Sequence, residues 1–79
     1  MDDYIATFFS HFDALVFYDH ISEMGAAARL MPVPRKLSAS CGTCVSFGER
    51  VAELRYADFE VEAVFARCGD GFDVVWAME

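Results

Sequence analysis

The chain has 79 residues, 56% of them hydrophobic, and a formal charge of −7 from 6 basic and 13 acidic residues. That length fits one small α+β domain spanning residues 1–79, with room for a modest core. The acidic balance repels phosphate backbones and anionic lipids, so neither nucleic acid nor a membrane surface is an expected partner. No apolar run approaches the ~20 residues of a membrane span, and no basic stretch precedes an apolar one at the start. A cytoplasmic protein is therefore expected. Eight Phe, three Tyr and one Trp are the main core-building units, each able to bury roughly 150–250 Å².

Residues 4–9 form an apolar run rich in β-formers and predict a central strand. Ser10 then offers an N-cap, with Asp13 in the first turn behind it. Ala14, Phe17, Tyr18, Ile21 and Met24 fall on one helical stripe, and Gly25 is a stop, so a helix is predicted over 11–24. Phe12 and Val16 lie off that stripe and leave a small apolar spot on the outer face. Residues 26–31 read as a second strand closed by Pro32 and Pro34. A loop of small and polar residues follows over 34–42, then a short β-branched strand over 43–47. A short helix is predicted over 49–56. Residues 60–67 alternate apolar and charged, as in a half-buried strand. Asp70-Gly71 signals a hairpin, and the alternation after it gives a last strand running back along the fourth. The first six elements match the ferredoxin-like βαββαβ sandwich, here with an extra C-terminal hairpin strand.

The chemistry is concentrated on the loop from Ser38 to Cys44. Cys41 and Cys44 are separated by two residues, close enough for both sulfurs to reach one metal, to reach each other, or for one to resolve a bond made by the other. The third cysteine, Cys68, is expected to be a small buried apolar residue. A zinc site needs four ligands, and no second pair completes one, so no metal and no cofactor are expected. A thioredoxin-type activation by a helix start is not expected either, because the pair leads into a predicted strand. Arg35 and Lys36 on the same loop could stabilise a thiolate or meet an anionic ligand, and Gly42 could let the backbone approach closely or adopt positive φ. His11 and His20 read as solvated. No Ser/His/Asp pattern, phosphate loop or paired carboxylates stand out.

The run Leu30-Met31-Pro32-Val33-Pro34-Arg35 through Ser40-Cys41-Gly42-Thr43-Cys44-Val45 resembles the signature of the small selenium/sulfur carrier protein family. Phe9-Ser10-His11-Phe12-Asp13-Ala14-Leu15 resembles that family's first block, and the likeness covers about residues 4–47. The final hairpin extends past the family's usual end. The resemblance implies a sulfur or selenium atom held as a persulfide or selenopersulfide on Cys41, which Cys44 could resolve as a disulfide. Arg35, Lys36, Ser40 and Gly42 are the candidates to surround the bound group, and a carrier implies donor and acceptor proteins as partners. A carrier is expected rather than a true enzyme. Two other readings stand beside it: a ligand- or protein-binding module with structural cysteines, able to form a homodimer, and a metal-binding Cys-x-x-Cys site.

Overall fold

The computed structural model describes residues 3–48 and 56–78. In chain order these form β1 (Tyr4–Phe8), α1 (His11–Glu23), β2 (Ala28–Pro32), β3 (Thr43–Phe47), a short 3-10 helix (Tyr56–Phe59), β4 (Val61–Cys68) and β5 (Gly71–Ala77). The strands make one sheet in the order β2-β3-β1-β4-β5, antiparallel at every step. β1 is central, as its apolar run predicts.

The result is a small α+β structure with one described α-helix on a five-stranded sheet. The ferredoxin-like arrangement is not confirmed. Its sheet has four strands, and the order here differs because β5 adds a fifth outside β4. The second helix it needs, expected over 49–56, lies outside the described residues except for Tyr56, which opens the 3-10 helix.

Local chemistry explains the ends of α1. The Ser10 hydroxyl accepts from the Asp13 backbone N–H at 3.2 Å and donates to the Asp13 carboxylate at 2.8 Å, so cap and first turn lock each other. At the other end Gly25 takes φ +85. Its N–H donates to Ser22 O at 3.0 Å, and the Ala26 N–H to Ile21 O at 3.1 Å. This is a Schellman stop, which a Cβ at Gly25 would strain.

The core lies between α1 and one face of the sheet. Ala14, Phe17 and Ile21 of α1 meet Ala6, Phe8, Val45, Phe47, Val61 and Val64, all fully buried. Phe17 is the hub, with ring centroids 5.4 Å from Phe8, 5.7 Å from Phe47 and 5.6 Å from Phe59. Met24, the last member of the predicted stripe, is exposed because it caps α1 beyond the sheet. Phe12 and Val16 are exposed, as their position off the stripe requires.

Three details depart from the sequence pattern. Pro32 belongs to β2, which is tolerated because β2 is an edge strand. Glu62 is an extra residue in β4, since Thr7 pairs with Ala63 and Phe8 with Val61. This bulge puts Val61 and Val64 in the core and leaves Ala63 and Phe65 half-buried, where strict alternation would put Val61, Ala63 and Phe65 on one face. The tight turn is Gly69-Asp70 rather than Asp70-Gly71, because Cys68 pairs with Gly71 and Gly69 takes φ +58. Positive φ at the first turn position is the type II′ arrangement, which glycine supplies without strain.

On the sheet face away from α1 the central positions are also buried. Ile5, Thr7, Cys44 and Ser46 alternate with the core residues of β1 and β3, and all four are buried. The loop after β2 meets the turn between β4 and β5, where Lys36 Nζ donates to the Asp70 carbonyl.

Candidate functional site

The register positions the cysteine loop. Thr7 lies opposite Cys44, so the start of β3 stands beside the end of β1, and α1 begins only three residues past that end. The His11 ring confirms the neighbourhood, with Nδ1 3.0 Å from the Thr43 hydroxyl. The pair leads into a strand along the chain, as expected. In space it stands at the end of the sheet where α1 starts, which local sequence does not reveal.

Two contacts flank Cys41. The Ser40 N–H donates to one oxygen of the Glu62 carboxylate at 3.1 Å and the Ser40 hydroxyl to the other at 2.7 Å. The residue before Cys41 is thus held by a two-pronged, charge-assisted clamp. At the base of the loop the Val33 N–H donates to Gly42 O at 3.0 Å. Cys41 itself is half-buried against the core, and its thiol donates to Thr43 O at 3.2 Å.

The three thiols sit in different environments. Cys44 is buried, its thiol donating to Pro32 O at 3.6 Å. Burial, then the nearby Cys41 thiol, pushes its pKa up to about 11. Cys68 is exposed, against the expectation that it is buried, because it ends β4 at the two-residue turn where the hairpin runs out into solvent. A hydrogen bond with Asp73 and that carboxylate's charge push its pKa up.

The remaining predicted residues divide. Ser40 and Gly42 flank Cys41 directly. Gly42 has room for a Cβ and does not take positive φ, so the backbone conformation there does not itself require a glycine. Arg35 and Lys36 form the exposed tip of a turn closed by the Leu37 N–H donating to Pro34 O at 3.0 Å. Lys36 is directed to Asp70, and neither side chain is a hydrogen-bond partner of Cys41. Sequence reasoning missed Glu62 and His11. The Glu62 signal was its place in the alternating strand, which reads as solvent-facing until the bulge is known. His11 gave no local signal.

Among the described residues no group of three or more His, Cys, Asp or Glu side chains converges as a metal site would. No helix among them is long and apolar enough to cross a membrane.

A family model described as "Putative Se/S carrier protein-like" matches residues 3–63. The chain belongs to this family. The match runs from the start of β1 into β4, so it takes in Glu62 as well as both loop cysteines. No curated protein and no solved structure matches the chain.

Proposed function

We propose that this member of the carrier family holds one sulfur or selenium atom on Cys41 as a persulfide or selenopersulfide, passing it between cytoplasmic donor and acceptor proteins. The observation that carries the reading is the contrast among the thiols. Burial pushes the Cys44 pKa up to about 11, and the hydrogen bond and charge of Asp73 push that of Cys68 up. Cys41 is the thiol on the clamped loop, partly open to solvent, at the end of the sheet where the positive end of α1 lies.

The balanced step is an exchange. The Cys41 thiolate attacks the outer sulfur or selenium of a donor persulfide. The new S–S or S–Se bond forms as the donor's own breaks, and the donor leaves as a thiolate. An acceptor nucleophile then attacks the outer atom and regenerates the Cys41 thiolate. No net oxidation occurs. Release through Cys44 would instead form a Cys41–Cys44 disulfide and need an external dithiol reductant. With a pKa near 11, only about one Cys44 in ten thousand is thiolate at neutral pH. Transfer to the acceptor is therefore the favoured route, with Cys44 a buried neighbour. Ser40 and Gly42 frame the bound atom, and Arg35 and Lys36, at the loop tip, meet the partner's surface.

Intact mass after incubation with a cysteine desulfurase and cysteine tests the reading. Wild type, Cys44→Ala and Cys68→Ala should each gain one sulfur, and Cys41→Ala none. Equal gain in Cys41→Ala would overturn it.

A further inference from the structure

We infer that the sheet face away from α1 carries a binding groove for a small organic anion, bracketed by Arg29 and Arg67. The groove has a volume of about 650 Å³ and is lined by Asp3, Ala28, Arg29, Met31, Ser46 and Arg67, with Ala27 at its rim. That volume is in the range of small-molecule sites. The register explains why these residues meet. Arg29 lies opposite Ser46 and Met31 opposite Cys44, across β2 and β3. Ser46 lies opposite Ile5, and Ile5 opposite Phe65, two residues before Arg67. The Arg67 N–H donates to Asp3 O at 2.8 Å, which ties the far wall to the start of β1.

The two arginines stand on β2 and β4, with β3 and β1 between them. They therefore approach the groove from opposite sides. Among the described residues no carboxylate forms an ion pair with either guanidinium. With one carboxylate, Asp3, the lining carries a net positive charge on a chain whose total is −7. Such local reversal focuses an anion where the rest of the surface repels it. Arg67 is also held in place. Its guanidinium carbon lies 5.5 Å from the centre of the Phe72 ring, a cation–π contact that restrains the side chain. Met31 supplies an apolar wall. The ligand class is thus a carboxylate- or phosphate-bearing small molecule with some apolar body.

This site does not rest on the carrier reading, because it involves neither Cys41 nor a loaded chalcogen. Its test is binding to the unloaded protein. Citrate and adenosine monophosphate are titrated separately while backbone amide shifts are recorded, which distinguishes a carboxylate from a phosphate ligand. Saturable shifts at Arg29, Met31, Ser46 and Arg67 are expected with at least one probe. Each charge-assisted contact is worth about a tenfold change in affinity. Arg29→Gln and Arg67→Gln should each weaken binding by about that factor, while His20→Gln, on α1 across the sheet, should leave it unchanged. No saturable shifts with either probe, or equal loss in His20→Gln, would overturn the site. Unaltered sulfur loading in Arg29→Gln would confirm that groove and carrier cysteine are separable.

Discussion

Burial takes the Cys44 sulfur out of water, and the cost falls on its thiolate. The pKa is pushed up to about 11, with desolvation the larger cause and the Cys41 thiol the smaller. A pKa raised by folding means that the folded chain holds the proton more tightly than the unfolded one. The associated stability is fully present below the unfolded thiol's pKa, near 9. It drains away as pH rises through the folded value near 11. After allowance for solvent screening this amounts to about 1–2 kcal/mol. Tyr56, also pushed up by burial and then by Tyr4, adds to the same alkaline loss. A variant comparison separates the two. Urea midpoints at about pH 8 and pH 10.5 should fall further for wild type than for Cys44→Ala. Equal falls would mean that the Cys44 thiol is not desolvated as the fold implies.

At the scale of elements, the reactive loop is held less by its own sequence than by what it leans on. Glu62 exists as a clamp because β4 bulges between its pairings with Thr7 and Phe8. The bulge is what lets its carboxylate take both the N–H and the hydroxyl of Ser40. Glu62→Ala removes both bonds from a partly solvated site, at a cost of about 1 kcal/mol. Its sharper signature is local. Amide exchange over 38–42 should accelerate while that of Phe17 and Val45 holds, and unchanged exchange in the loop would show that the clamp does not order it.

The same bulge marks the limit of what the chain discloses. Helix α1 was legible to within one residue, because cap, stripe and glycine stop are local signals that agree. β3 was legible for the same reason. Cys41 and Cys44 announced themselves by spacing. The partners Glu62 and His11 did not, because they are set by strand pairing between segments dozens of residues apart. Cys68 was misplaced because apolar character predicts burial only where the strand that carries it stays inside the sheet. Pro32 was read as a terminator when an edge position could absorb it.

For the molecule as a whole, the question is how much of a 79-residue chain's stability hangs on a few aromatic rings. At ~0.05–0.15 kcal/mol per residue the total is about 4–12 kcal/mol. Phe17 is fully buried and meets the rings of Phe8, Phe47, Tyr56 and Phe59, joining α1, the sheet and the 3-10 helix in one cluster. Truncating such a side chain costs about 3–5 kcal/mol, partly as lost transfer energy and partly as the cavity left behind. That is a large share of the total, so Phe17→Ala should be partly unfolded at 37 °C. Phe12 is the internal control, five residues earlier on the same helix but 71% exposed. Its truncation should move stability by no more than about 0.5 kcal/mol. Urea unfolding at neutral pH reads both. Phe17→Ala with a near-wild-type midpoint would mean that the core is not centred on this ring. A large loss in Phe12→Ala would mean that the outer face of α1 is covered in solution by a second surface.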